Sequence, residues 1–158
     1  MAMEAQLAIE NPYWDMVQKF PGDRIEQKYH SRWMPDPYPW KSDAPEMDGK
    51  PVSRNDLCGK YAWSIPDPAS LQFVAHAIGE KAVEIGAGTG YYASLLAQMG
   101  VDMVCYDLHP PQHTGQNHYH SPRNEKQDGL LGVTRDVFFD VRAGNHQMAA
   151  EQIGRAHV

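Results

Sequence analysis

An α/β fold with a parallel sheet is the architecture that this sequence predicts. A short apolar segment at 82–85 runs directly into a glycine-rich turn at 86–90. A helix predicted at 91–99 and a second apolar segment at 101–106 follow without interruption. Strand, turn, helix and strand in this order form a βαβ unit, in which two neighbouring strands lie parallel and helices cover the sheet.

A further helix is predicted on the N-terminal side of this unit. Asp67 is a favourable N-cap, Pro68 suits the first helical position and Gly79 suits the end. Between them, apolar residues recur at the spacing of one helical face: Leu71, Val74, Ala75 and Ile78. The helix after the glycine turn also has an apolar face, formed by Leu95, Leu96 and Met99. Both helices are therefore expected to pack inward through one side.

The chain before this region is predicted to form an extension of the domain. Residues 1–52 are assigned a helix at 3–19, in which Pro12 marks either a break or the first turn, followed by a Pro-rich strap over the domain surface. Residues 53–151 are assigned to the α/β domain itself, with another strand predicted at 137–141.

The end of the chain does not fit a complete domain of this kind. A helix predicted at 146–152 is the last patterned element. The final residues, Ile-Gly-Arg-Ala-His-Val at 153–158, resemble the in-frame translation of a sequencing adapter. Residues 152–158 are accordingly interpreted as a non-native tail, and the natural polypeptide is expected to continue past residue 151.

Composition and charge restrict the class of protein. A length of 158 residues with 42% hydrophobic content suffices for one domain with a core. The formal net charge of −6 disfavours a broad basic surface for nucleic acid, although a local basic patch is compatible with an acidic total. No apolar run approaches the roughly 20 residues of a membrane span, and the N-terminus does not resemble a signal peptide. A cytoplasmic location is therefore expected.

Neither the cysteines nor the histidines predict a metal site. Cys58 and Cys105 lie far apart, without C-x-x-C spacing, so neither a disulfide framework nor a zinc site is expected. Four histidines crowd the loop that follows residue 107, but their spacing lacks the pattern of tetrahedral zinc ligands: His109, His113, His118 and His120. A flexible loop is the preferred interpretation.

The turn at 86–90 has glycine at every second position, as Gly86, Gly88 and Gly90. Because glycine tolerates unusual backbone dihedrals and the close approach of a ligand, this pattern predicts contact with a nucleotide-like molecule. Asp107 ends the second predicted strand and is expected to point into the same crevice, where its carboxylate can accept both hydroxyls of a ribose. NAD and S-adenosylmethionine fit these features equally.

Three further details favour S-adenosylmethionine. The dinucleotide fingerprint G-x-G-x-x-G needs its third glycine where this chain has Tyr91. Glu84 precedes the turn, and its negative charge would oppose a pyrophosphate but favour the ammonium and sulfonium of S-adenosylmethionine. The G-x-x-x-x-G-K-[ST] pattern of a phosphate-binding loop is absent from the sequence.

The segment Val-Glu-Ile-Gly-Ala-Gly-Thr-Gly at 83–90 resembles the first motif of class I S-adenosylmethionine-dependent methyltransferases, and Tyr-Asp-Leu at 106–108 resembles their second. The resemblance covers residues 67–108. It implies a Rossmann-like parallel sheet of the class I methyltransferase type, here incomplete and preceded by the helical and Pro-rich extension. It also implies an enzyme that transfers a methyl group from S-adenosylmethionine to an unidentified acceptor.

The resemblance further implies which residues hold the cofactor: Glu84, Gly86, Ala87, Gly88, Gly90, Asp107, Leu108 and Tyr61. In this scheme Glu84 lies near the methionine amino group, Asp107 binds the ribose and Leu108 covers the adenine. For Tyr61, packing in the core is the preferred alternative. No catalytic residue is indicated. A non-catalytic nucleotide-binding or regulatory module and an NAD-dependent oxidoreductase remain as the alternative functions.

Overall fold

The structure, a computed structural model, describes residues 9–20, 45–47, 49–52, 54–111 and 137–155. The described helices are α1 Pro12–Gln18, α2 Arg54–Lys60, α3 Pro68–Ile78, α4 Tyr91–Gln98 and α5 His146–Arg155. The described strands are β1 Glu46–Met47, β2 Lys50–Pro51, β3 Lys81–Ile85, β4 Asp102–Asp107 and β5 Val141–Ala143. Most of the predicted Pro-rich strap and of the His-rich loop lies outside the described residues.

A three-stranded parallel sheet forms the centre of this α/β protein. Its strand order is β3-β4-β5, and both pairs of neighbouring strands are parallel. Lys81 lies opposite Asp102, and Cys105 lies opposite Val141. Helix α4 connects β3 to β4, so the predicted βαβ unit is confirmed. The carboxyl ends of β3 and β4 therefore meet at one edge of the sheet, beside the start of α4.

Helix α3 begins and ends where the sequence predicts. The Oδ1 atom of Asp67 accepts hydrogen bonds from the backbone N–H groups of Ala69 and Ser70, at 3.1 and 3.0 Å. Of the predicted apolar face, Leu71 is buried and Ala75 packs against the core. The other two positions, Val74 and Ile78, are 36% and 37% exposed. The apolar face of α3 is therefore wider than the surface that the described residues cover.

The N-terminal helix belongs to the same core as the sheet. Asn11 is its N-cap and accepts a hydrogen bond from the backbone N–H of Trp14, so Pro12 begins the helix rather than breaking it. Tyr13 and Val17 are each 1% exposed. They join one contiguous cluster with residues of α2 and α4, among them Leu57 and Leu95.

Regular structure is present at the C-terminal end of the predicted strap and in the first part of the predicted tail. Strands β1 and β2 pair antiparallel, with Glu46 opposite Pro51 and Met47 opposite Lys50. Helix α5 continues to Arg155, past the predicted end at residue 152. None of the helices in the described part of the chain is both long enough and apolar enough to cross a membrane.

The strand predicted at 137–141 is wrong in position, because β5 begins only at Val141. Phe138 does not join the sheet. Its backbone N–H donates to the carbonyl oxygen of Thr89 at 2.9 Å, and its ring packs at 5.5 Å from the ring of Tyr61 and 4.9 Å from that of Tyr91. The apolar run thus forms a loop that crosses the glycine turn, with aromatic contacts in place of strand pairing.

Replacing the cap of α3 tests this account of the helix start. We expect Asp67→Ala to lower the free energy of unfolding by about 1 kcal/mol at pH 7, whereas Asp67→Asn retains most of the stability because asparagine is an equally good N-cap. Bonds from Ser70 and Ala69 hold the pKa of Asp67 below its ordinary value of 3.8. The stabilisation is therefore present above that pH and declines as the pH falls further.

Urea denaturation of the three proteins at pH 7 and pH 3 measures this difference. Equal stability of the alanine and asparagine variants at pH 7 would contradict the capping role.

Candidate functional site

The glycine turn begins where β3 ends and is tied to the end of β4. The backbone N–H groups of Gly86 and Ala87 both donate to the carbonyl oxygen of Tyr106, at 2.8 and 3.1 Å. The N–H of Gly90 donates to the carbonyl of Ala87 at 2.8 Å, which closes the turn before α4. The turn is thus a fixed part of the carboxyl edge of the sheet.

Asp107 joins this turn directly. Its Oδ2 atom accepts a hydrogen bond from the backbone N–H of Gly88 at 2.9 Å, and its Oδ1 atom accepts one from the N–H of His109 at 2.8 Å. A carboxylate offers about four lone-pair directions. Two of them are used by these backbone groups, so each oxygen retains acceptor capacity. The carboxylate is held in place and can still receive two donors, such as a pair of hydroxyls.

The turn has an open side and a closed side. Gly86 has a φ of 72°, and a Cβ built on it would have no heavy atom within 4 Å. Gly90 has a similar φ of 73°, but a Cβ there would lie 2.7 Å from the Cβ of Phe139 and 2.9 Å from a methyl of Val141. Gly86 therefore presents bare backbone to open space. The absence of a side chain at Gly90 instead allows the β5 segment to pack against the start of α4.

Apolar side chains lie exposed beside the open side of the turn. Ile85 ends β3 and is 52% exposed, and Leu108 directly follows β4 and is 66% exposed. They flank Gly86 and Asp107 in the chain at the carboxyl edge of two neighbouring parallel strands. Exposed apolar groups next to a fixed carboxylate suit a ligand that has both a flat apolar ring and hydroxyl groups.

Glu84 points from β3 towards the first turn of α4. Its carboxylate accepts the backbone N–H of Ala93, the third residue of α4, and lies 3.9 Å from the sulfur of Cys105. The first N–H groups of a helix lack partners within the helix, and the N-cap Gly90 has no side chain to supply one. Glu84 therefore takes over part of the capping of α4.

Burial changes the charge that the sequence suggests for Glu84. Removal from water raises the pKa of its carboxyl to about 7, against the smaller opposing effect of the Ala93 and Cys105 bonds. Burial, and then the neighbouring Glu84, raise the pKa of the Cys105 thiol to about 12. The negative charge that the sequence suggests for Glu84 is therefore opposed by burial, and its carboxyl takes up a proton more readily than an exposed glutamate does.

Two of the predicted cofactor residues face the core. Ala87 is 8% exposed and belongs to the core cluster, so that only its backbone borders the open side. The ring of Tyr61 lies 5.2 Å from that of Tyr13, and its carbonyl oxygen accepts a hydrogen bond from the hydroxyl of Thr89. Both residues support the turn from behind. This is the packing alternative that the sequence leaves open for Tyr61.

The packing roles of two further residues at the site, Thr89 and Tyr91, are not indicated by the sequence. Thr89 is 3% exposed and contacts Tyr61 and Phe138 through its hydroxyl and its carbonyl. Tyr91 is equally buried, and its hydroxyl is bonded to Asn11, which lies 80 positions earlier in the chain. The pair Asn11 and Pro12 is a local signal for a helix start, but no local signal reveals these distant contacts.

Comparisons with known proteins do not assign this chain to a family. No family model, curated protein or solved structure matches it. Function is therefore inferred from the carboxyl edge of the sheet, where the structure brings together the glycine turn, Asp107, Leu108 and the partly buried Glu84.

Alanine substitutions distinguish the two sides of the turn. Gly90→Ala combines a strained φ with a steric clash, so we expect the free energy of unfolding to fall by about 2 to 5 kcal/mol. Gly86→Ala has the same backbone strain without a clash, and we expect a loss of about 1 to 2 kcal/mol. Urea denaturation of both variants measures the difference. Equal losses would show that Phe139 and Val141 do not restrict position 90.

A second prediction concerns the buried carboxyl of Glu84. The pKa of Glu84 is raised from 4.5 to about 7 on folding. Its contribution to the free energy of unfolding is therefore fully present below pH 4.5 and is lost as the pH rises to about 7. Glu84→Gln keeps an acceptor for the Ala93 N–H and removes the cost of ionising a carboxyl that is shielded from water. We expect the variant to match the parent at pH 4 and to be about 1 to 3 kcal/mol more stable at pH 8.

Denaturation curves at both pH values provide the measurement, and Glu80→Gln is the matched control. Glu80 is exposed directly before β3, so its substitution should change the stability by less than about 0.5 kcal/mol. A stability difference for Glu84→Gln that does not vary with pH would contradict the assigned burial.

Proposed function

We propose that this chain binds S-adenosylmethionine at the carboxyl edge of β3 and β4 and forms the cofactor-binding part of a methyltransferase. The observation that carries the proposal is the hydrogen bond between the Gly88 N–H and the Asp107 carboxylate. It joins the glycine turn after one strand to the acidic end of the next, parallel strand. In Rossmann-like folds this is the arrangement that binds the ribose of a nucleotide.

The residues at this edge fit the parts of such a ligand. Asp107 retains two acceptor directions for the ribose hydroxyls. The exposed side chains of Ile85 and Leu108 offer apolar surface for the adenine ring. Gly86 leaves its backbone accessible, since nothing lies within 4 Å of the place where a Cβ would project. The sheet order β3-β4-β5 also agrees with one half of a doubly wound, Rossmann-like sheet.

Charge and packing favour S-adenosylmethionine over NAD. The carboxyl of Glu84, with its pKa near 7, ionises readily when a cation approaches, whereas a pyrophosphate would hold it in the protonated form. The third glycine of a dinucleotide site is replaced by Tyr91, which is 2% exposed and anchored by its hydroxyl to Asn11. Both features support a cationic nucleoside in place of a dinucleotide.

The sulfonium of S-adenosylmethionine activates the methyl group, so the protein has mainly to bind and orient the donor and to align an acceptor with it. In this proposal Asp107 orients the ribose, Leu108 the adenine and Glu84 the methionine ammonium. The methyl acceptor is unidentified, and no described residue is assigned a catalytic role. A non-catalytic module would use the same binding residues and would differ only in lacking transfer.

Calorimetric titration with S-adenosylmethionine, S-adenosylhomocysteine and NAD tests the proposal. We expect the first two to bind and NAD to bind far more weakly. Asp107→Asn should weaken binding of S-adenosylmethionine by about 10- to 100-fold, because it loses charge-assisted acceptance of the ribose hydroxyls. Asp102→Asn is the matched control at the opposite end of β4, where the carboxylate is exposed 3.9 Å from Lys81, and it should leave the affinity unchanged.

Binding of NAD alone would overturn the proposal in favour of an oxidoreductase. Equal affinities of the two asparagine variants would remove Asp107 from the site. A radiolabelled methyl-transfer screen against small molecules, peptides and nucleic acids then separates an enzyme from a binding module, since only the enzyme transfers label.

A further inference from the structure

The N-terminal segment, defined as residues 9–18, is hydrogen-bonded to both ends of helix α4. The backbone N–H of Glu10 donates to the side-chain oxygen of Gln98 at 2.7 Å, and the Gln98 amide donates back to the Glu10 carbonyl at 3.2 Å. At the start of the helix, the backbone N–H of Tyr13 donates to the hydroxyl of Tyr91 at 3.0 Å. That hydroxyl donates in turn to the Oδ1 atom of Asn11 at 2.9 Å. Residues 10–13 therefore run along the whole helix.

The contacts at the start of α4 are buried. Asn11 is 4% exposed and Tyr91 is 2% exposed. The Asn11 side chain also donates to the carbonyl of Pro66 at 2.7 Å, so it links α1, α4 and the segment before α3. A buried polar group that loses its partner carries the full cost of its desolvation. The segment is therefore expected to dock or undock as a unit.

These contacts reach the closed side of the glycine turn. Tyr91 directly follows Gly90, and its ring packs 4.9 Å from the ring of Tyr61. The carbonyl of Tyr61 accepts the hydroxyl of Thr89, within the turn. The ring of Tyr13, from α1, stacks on the ring of Tyr61 at 5.2 Å. The inner surface of the turn is thus held by the N-terminal segment, while the outer surface faces the open side at Gly86.

We propose that docking of residues 9–18 onto α4 is coupled to ligand binding at the glycine turn, with Asn11 and Tyr91 as positioning residues. The inference rests on the proposed binding of S-adenosylmethionine. Docking fixes the dihedral angles of the turn from behind, so the ligand meets a preformed backbone. Coupling of this kind is reciprocal: if docking strengthens ligand binding, the ligand stabilises docking by the same factor.

Tyr91→Phe tests the coupling, because it removes only the hydroxyl that bonds Asn11 and Tyr13. Tyr92→Phe is the matched control on the next residue of α4, since the Tyr92 hydroxyl accepts a hydrogen bond from the exposed Ser64 hydroxyl and is not the group that bonds Asn11 and Tyr13. In calorimetric titration of the full chain we expect Tyr91→Phe to weaken S-adenosylmethionine binding by about fivefold or more. The control should change the affinity less than twofold.

Hydrogen exchange at the Tyr13 amide, measured relative to the Leu71 amide of α3, separates coupling from the general stabilisation that any bound ligand gives to the fold. In the parent protein, saturating S-adenosylmethionine should slow exchange of this amide by about fivefold or more. The slowing should be lost in Gln98→Ala, which leaves in place the Tyr91 hydroxyl that accepts the Tyr13 N–H. Gln98→Ala, at an exposed position, removes the two bonds to Glu10 without touching the core, so it tests docking even if Tyr91→Phe does not fold. It should weaken binding about two- to threefold.

Two results separate this inference from the proposed function. If the parent protein does not bind S-adenosylmethionine, the proposed function and the coupling both fail. If the parent binds but the Tyr91→Phe and Gln98→Ala variants retain its affinity, and the ligand does not slow exchange at Tyr13, only the coupling fails. The N-terminal segment would then contribute stability alone.

Discussion

Gly90 has no side chain, and Phe139 and Val141 occupy the space into which one would project. This close approach lets the chain enter β5 alongside β4 while the N–H of Phe138 bonds the carbonyl of Thr89. The ring of Phe138 then completes a cluster with Tyr61 and Tyr91 beneath the turn. Segments from three parts of the chain, at Tyr61, 89–91 and 138–141, thus meet around a place where a single methyl group would not fit. The third parallel strand and the rigidity of the turn both depend on this packing.

The alternating glycines of the turn face different surroundings. Gly90 faces inward and is needed for packing as well as for its positive φ, whereas Gly86 faces open space and the fold requires it only for its positive φ. A side chain at Gly86 would meet no neighbouring atom within 4 Å, but it would strain a backbone with a φ of 72°. The positive φ of Gly86 explains part of its presence, and ligand access in the proposed function explains why bare backbone is left beside Asp107.

The sequence predicts β3, α4 and β4 correctly because their signals are local. Glycines and apolar periodicity mark these elements within a few residues, and a βαβ connection leaves little choice of handedness. The strand at 137–141 is misplaced because Phe138, which is partly buried, packs against Tyr61 and Tyr91 rather than pairing with a neighbouring strand. A run of aromatic and β-branched residues has the same sequence pattern whether it forms a strand of a sheet or a loop that packs on aromatic rings.

The candidate site is predicted in part for the same reason. Gly88 follows the first strand of one βαβ unit and Asp107 ends its second strand, so the topology alone brings them together, and the structure adds the bond between them. The contact between Asn11 and Tyr91 spans 80 positions and depends on how α1 packs. Likewise, the pKa of Glu84 depends on its burial against Cys105 and α4, which residue type alone does not reveal.

Glu84 has two roles in this account, and they favour different protonation states of its carboxyl. As a cap for the Ala93 N–H it needs only an acceptor oxygen, which a protonated carboxyl also provides. As a partner for a cationic ligand it needs its charge. With its pKa raised to about 7, the carboxyl can take up a proton near neutral pH, so the fold does not have to keep a fully charged, unpaired carboxylate away from water. Under the proposed function, the ligand's ammonium would replace that proton. The burial that raises the pKa would then strengthen the attraction once the cation is bound, because charges interact more strongly at low dielectric.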